Sequence, residues 1–272
     1  MPEIKYVEAN GLRFAYLEQG TGPLVLLVHG FPDTAHTWSH VQPLIAAKGY
    51  RTVAIWTRGY APSAIPKQDA DLETLGRDIL ELIPALGETT AIIIGHDWGA
   101  GASYAAASLG PERIAKMIVV GVPHTASYVP LPWRLWGIRH FVMYQWRGAA
   151  KRFAKDDFAA LPKIYKRWNP TWTPPAEEFA AVREAFSNPE SLDAAFGYYR
   201  KIQFRPQEFL RKRIEVPTVV VSGTDDPNLT RKDYERARKM FAKDYVVEEM
   251  PGGHFMHREH PEAFAKLLLP HL

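Results

Sequence analysis

Short uninterrupted apolar runs recur along the chain, separated by longer stretches in which apolar residues return every three or four positions. The runs are PLVLLVHG (23–30), RTVAIW (51–56), AIIIG (91–95), MIVVGV (117–122), PTVVVSG (217–223) and YVVEEM (245–250). A continuous apolar run of this length predicts a strand covered on both faces, whereas LRFAYLEQ (12–19) alternates like a half-exposed one. The helical period predicts helices over 72–87, 99–110 and 261–272. Strand–helix units repeated in this way imply an α/β fold, a mostly parallel sheet between layers of helices.

From about Tyr128 to Lys212 no buried-strand run occurs, and helical patterns over 175–186 and 191–202 sit among Trp, Tyr, Pro and basic residues. The expected organisation is a core of residues 1–127 and 213–272, with 128–212 inserted as a helical cap over the strand ends. WNPTWTPP (168–175) reads as a loop within that cap.

Composition narrows the classes. With 33 basic and 30 acidic residues in 272, charge alone does not point to nucleic acid. Hydrophobic residues at 46% and charged residues at 23% argue against disorder. Cysteine is absent, which removes disulfides, thiolate nucleophiles and Cys-based metal sites. The N-terminal MPEIKYVEANGLRF has no apolar stretch of the secretory kind, so the expectation is a cytoplasmic protein without membrane or nucleic-acid partners.

Candidate chemistry begins at GHDWGA (95–100), where a buried strand turns into a helix of small residues. Many hydrolases hold a serine at such a strand–turn–helix junction; here the central residue is Asp97. A lone aspartate at a helix start is more simply a cap. Three other fragments favour catalysis. HGFPD (29–33) follows a buried strand and offers the Phe31 amide, which with the Trp98 amide would make a two-donor oxyanion hole. SGTDDPNL (222–229) follows the penultimate strand with Asp225 and Asp226, of which Asp226 suits the loop pattern G-x-x-D. PGGHFMH (251–257) follows the last strand and offers His254, with His257 as its competitor. The order is nucleophile, acid, base, while His29 and His96 are expected to shape the loops.

HGFPD, RGYAPS, GHDWGA, GTDD and GGH, in that order, resemble the epoxide hydrolase branch of the α/β-hydrolase family from roughly Val7 to Leu269. Haloalkane dehalogenases share much of the pattern. The resemblance implies an eight-stranded sheet, a helical cap, an aspartate nucleophile and a His–Asp pair. It also implies two cap tyrosines that hold the epoxide oxygen, matched here by Tyr144 in MYQW (143–146) and Tyr199 in GYYR (197–200). WTRGYA (56–61) departs from the family, with Trp56 and Ala61 in place of an acid and a glycine.

A carboxylate is already ionised at neutral pH and attacks saturated carbon without a base, leaving an alkyl ester on the enzyme. His254, oriented by Asp226, would then activate water against that ester. An opening epoxide develops an alkoxide that needs a phenol to protonate it, whereas a departing halide wants indole N–H donors. Trp98 and a cap tryptophan (Trp133, Trp136, Trp146, Trp168 or Trp172) are candidates for the latter. Dehalogenases often carry Asn where this chain has Phe31, and fluoroacetate-cleaving relatives carry Arg where it has Trp98. The expected substrates are therefore a small epoxide and water, with no cofactor or metal. A haloalkane is the alternative, and a non-enzymatic receptor or scaffold of the same fold is the third reading. The segment 134–152, basic and aromatic, reads as the underside of the cap rather than a membrane or nucleic-acid surface.

Overall fold

The computed structural model describes residues 3–127, 137, 139–146, 148–203 and 205–272. The eight strands are β1 (Lys5–Ala9), β2 (Leu12–Gln19), β3 (Leu24–Val28), β4 (Arg51–Ile55), β5 (Ala91–His96), β6 (Ile114–Val120), β7 (Thr218–Gly223) and β8 (Tyr245–Met250). They form one sheet in the order β1-β2-β4-β3-β5-β6-β7-β8. β2 pairs antiparallel with β1 and β4; every other pairing is parallel. Every residue of β3 and of β7 is buried, as their continuous apolar runs require.

Seven of the eight strands stand where the apolar pattern places them. β1 leaves no such run because it is an edge strand, and only Ala9 of its five residues is buried. Helices cover both faces. α1 (Gln42–Ala46) is too short to leave a helical period, whereas α2 (Leu72–Ala85) and α3 (Trp98–Leu109) fall where expected. Asp71 caps α2 by accepting from the Thr74 amide at 3.0 Å.

Between β6 and β7 the described residues contain helices and no strand. The helices are α4 (His140–Met143), α5 (Ala149–Phe153), α6 (Lys155–Phe158), α7 (Ala160–Trp168), α8 (Ala180–Ser187) and α9 (Pro189–Arg200). The pattern over 175–186 begins as a 3₁₀ turn, Ala176–Phe179, before α8. α10 (Arg231–Ala237), α11 (Met256–Glu259) and α12 (Pro261–Leu268) complete the chain. α12 stops short of the predicted 272 and tightens into a 3₁₀ turn at Leu269–His271, where Pro270 has no amide to continue the ladder. The start of the insertion at 128, together with Trp133 and Trp136, lies outside the described residues. Among the described residues, no helix is long and apolar enough to cross a membrane.

The departure at WTRGYA is absorbed by packing. Trp56 is buried with its ring 5.2 Å from that of His36, and the Ala61 amide donates to Ser191 Oγ on α9 at 3.0 Å. Arg58 forms a buried two-pronged ion pair with Asp78 of α2. The loop thus ties core to insertion.

Candidate active site

β3 and β5 are neighbours in the sheet, and the connection from β3 runs to β4 on one side while that from β5 runs to β6 on the other. Such a switch point opens a crevice at the carboxyl ends of the strands. HGFPD leaves β3 there and GHDWGA leaves β5. Asp97 holds φ 53° and ψ −116°, a backbone region that costs roughly 1–3 kcal/mol for a non-glycine residue. Its side chain makes no capping hydrogen bond to α3, which removes the simple cap reading. Instead Asp97 Oδ1 accepts from the Phe31 amide at 2.8 Å. Gly30 permits this approach, since a Cβ there would collide with Asp97 Cβ and Oδ1. Trp98 opens α3, and an amide at that position has no acceptor within its own helix.

His254 Nε2 lies 3.2 Å from Asp97 Oδ2, and on the other side of the ring Nδ1 lies 3.7 Å from Asp226 Oδ2. Asp226 is further held by the Asn228 and Leu229 amides, which donate to Oδ1 at 2.8 and 3.1 Å. Asp225 faces elsewhere and accepts from the Gly252 amide at 2.9 Å. Burial would depress the His254 pKa, but the bonds and charges of Asp226 and Asp97 outweigh it and raise the pKa to about 9. Burial would raise the Asp97 pKa, yet the bond and charge of His254, helped by the Phe31 amide, bring it down to about 2. The resting pair is carboxylate and imidazolium.

The neighbouring histidines differ. His257 is buried with Nε2 2.8 Å from Thr37 Oγ1, and burial drives its pKa well down. His96 Nε2 sits 2.9 Å from the His254 carbonyl, and His29 Nε2 accepts from the Thr57 amide at 3.1 Å. Burial lowers these two to about 3 and about 4, so both are neutral supports of the loops.

Tyr144 and Tyr199, from the helical segment between β6 and β7, pack around the Phe31 ring, whose centroid lies 5.4 Å from that of each. The two tyrosine rings meet edge-on at 5.0 Å. Tyr199 is buried, which raises its pKa well above normal, and the Asp97 charge raises it further while Trp98 acts to lower it. Tyr144 is pushed up to about 12 by burial, against the opposing pull of Arg167 beside its hydroxyl.

Three lining residues have no motif to announce them. His140 packs 5.7 Å from Tyr144 and 6.0 Å from Tyr199, with a pKa lowered by burial to about 3. Trp168 sets its ring 5.6 Å from His254 and accepts the His254 amide at its carbonyl at 2.9 Å. Arg167 precedes it. Trp168 is one of the cap tryptophans considered above as an indole donor, and for His140 the signal is its four-residue spacing from Tyr144, which puts both on one helical face. Among the described residues, no three His, Asp or Glu side chains gather as metal ligands.

Residues 23–261 match the α/β hydrolase fold family, and the chain belongs to it. It is 28% identical to the AB hydrolase superfamily protein YfhM of Bacillus subtilis, over 98% of this chain and 97% of that one. The finer likeness is to epoxide hydrolases. Epoxide hydrolase A of Mycobacterium tuberculosis is 27% identical over 100% of this chain and 97% of its own. The crystal structure of epoxide hydrolase A from Mycobacterium thermoresistibile superposes with a TM-score of 0.86 at 25% identity, covering 100% and 98% of the two chains. The resemblance drawn from the ordered motifs is borne out, and so is the mostly parallel eight-stranded α/β fold.

Proposed function

We propose that the protein hydrolyses epoxides to vicinal diols through an ester on Asp97. The observation that carries this reading is the Asp97 carboxylate itself. One oxygen lies against the Phe31 amide and the other faces His254, where a serine would otherwise need activation. Asp97 Oδ2 attacks an oxirane carbon, the C–O bond breaks, and the departing oxygen takes a proton from a phenol. Tyr199 and Tyr144 are the donors, held protonated by burial at any physiological pH. Proton donation of this kind contributes about 10²–10⁴-fold.

Alkylation then changes the base. The resting His254 is held protonated partly by the Asp97 charge. Once Asp97 is an ester that charge is gone and the imidazole pKa falls; the imidazolium proton passes to the phenolate left by ring opening, and the neutral ring can then take a proton from water. Hydroxide adds to Asp97 Cγ, and the negative charge that builds on Oδ1 meets the Phe31 and Trp98 amides. An oxyanion donor of this kind is worth about 2.7–4 kcal/mol. The tetrahedral intermediate collapses as the Cγ–Oδ2 bond breaks, the departing oxygen takes the imidazolium proton to become the second hydroxyl of the diol, and the proton on the new Asp97 carboxyl returns to His254. In this scheme α4–α9 act as the lid that excludes bulk water.

A halide-displacing reading draws on one observation, the buried Trp168 indole nitrogen, which has no hydrogen-bond partner among the described residues. Against it, the Trp98 indole is already engaged with Tyr199. Single-turnover hydrolysis of styrene oxide in heavy-oxygen water is the test. Label is expected in the peptide that contains Asp97, and label confined to the diol would replace the ester with direct attack by water. Bromide release from 1-bromobutane without diol from styrene oxide would favour the halide reading.

A further inference from the structure

Arg167, next to last in α7, carries a charge that the chemistry above does not use. Its Nε and Nη2 are buried without a hydrogen-bond partner, and it forms no ion pair with a carboxylate among the described residues. Leaving buried charged donors unmatched costs more than leaving a neutral group unmatched. Nε and Nη2 share one edge of the guanidinium, and elsewhere in this chain that edge holds carboxylates. Arg200 uses it on Asp69, at 2.8 and 2.7 Å, and Arg58 uses it on Asp78. A planar two-oxygen acceptor is what this fork fits.

The position of Arg167 connects the empty fork to the nucleophile. Asp97 acts on Tyr199, Tyr199 meets Tyr144 at 5.0 Å, and the Tyr144 hydroxyl lies beside Arg167. Arg167 also lines an open hollow of about 610 Å³, shared with Lys163, Lys166 and Thr173. Lys166 donates to the Pro170 carbonyl at 2.8 Å. The residues that line this hollow include cations and no acid.

We infer that Arg167 is a specificity residue that binds a carboxylate on the substrate, so the substrate class is epoxides bearing an acid group close to the oxirane. The oxirane part rests on the epoxide reading above; the carboxylate part rests on Arg167 and is tested separately. The first probe needs no reaction. trans-Cinnamate, an acid without an oxirane, is titrated against the intact protein alongside its neutral amide. The acid is expected to bind at least 10-fold tighter, and Arg167→Gln is expected to weaken it by about 10–100-fold with little effect on the amide. Arg167→Lys keeps the charge but not the fork and is expected to fall between the two. The second probe compares turnover of trans-3-phenylglycidate with its amide, where the acid-to-amide ratio of kcat/KM should drop about 10–100-fold in Arg167→Gln.

Equal binding of cinnamate and its amide by the unmodified protein would overturn the proposal, whatever the variants do. An unchanged acid-to-amide ratio in a folded Arg167→Gln protein would overturn it as well. Cinnamate bound through Arg167 with no epoxide opened would sustain the carboxylate site and remove the epoxide reading. Epoxides opened with no preference for the acid would do the reverse.

Discussion

Asp97 and His254 set each other's charge, so the pair is best probed through the imidazole. Its pKa stands at about 9, above the ordinary 6.5, because two carboxylates face the ring. A raised value means that the protonated imidazole stabilises the fold fully below pH 6.5, and that this contribution is lost as pH rises through about 9. Asp97→Asn removes one of the two carboxylates. The NMR titration of His254 in that variant is expected to shift to a pKa below about 9. The stability advantage of the parent over the variant should shrink as pH rises through the same value. An imidazole that still titrates at the parental pH would place its stabilisation on Asp226 alone and weaken the proposed switch from acid to base.

Among the elements, the loop that leaves β3 depends on one missing side chain. Gly30 lets the Phe31 amide reach Asp97 Oδ1, and a methyl group there meets Asp97 itself as well as the His96 carbonyl. Since the neighbour in the way is the proposed nucleophile on a tight turn, the loop must retreat. Gly30→Ala is therefore expected to lose an oxyanion donor and to slow ester hydrolysis by about 10²–10³-fold. The β3 ladder to β4 and β5 ends at Val28, so the sheet should survive. Rapid-quench kinetics with circular dichroism checks both parts; a folded variant with parental hydrolysis would remove Phe31 from the oxyanion role.

For the whole molecule, core and insertion are joined through a buried cation just beyond the His254 loop. Arg258 Nη1 donates to Asp33 at 3.1 and 3.0 Å and to the Tyr165 hydroxyl at 2.7 Å. Its Nη2 donates to the Glu178 carbonyl at 2.9 Å and pairs with the Glu178 carboxylate. One guanidinium thus holds the HGFPD loop, α7 and the segment before α8. Arg258→Met keeps the packing volume but leaves Asp33 buried without its cation. The expected loss is about 3–5 kcal/mol in urea denaturation. A loss below about 1 kcal/mol would mean that the loop and insertion are held by apolar packing alone.

The sequence by itself determined the sheet and the order of the reactive loops. A strand buried on both faces is apolar over most of its length, so β3, β5 and β7 are visible locally, and the catalytic candidates follow directly where those runs stop. β1 escaped because an edge strand with a solvated face carries no such run. Which of Asp226 and Asp225 faces His254 is decided by tertiary structure, because adjacent carboxylates at one loop differ only in which way the turn directs them. The same holds for the insertion. Tyr144 and Tyr199 come together only because α4 and α9 fold back over the Phe31 ring, and the placing of His140, Arg167 and Trp168 depends on that folding. Helical periodicity shows that a segment has an apolar face, but what that face meets is a non-local contact that no short window of sequence contains.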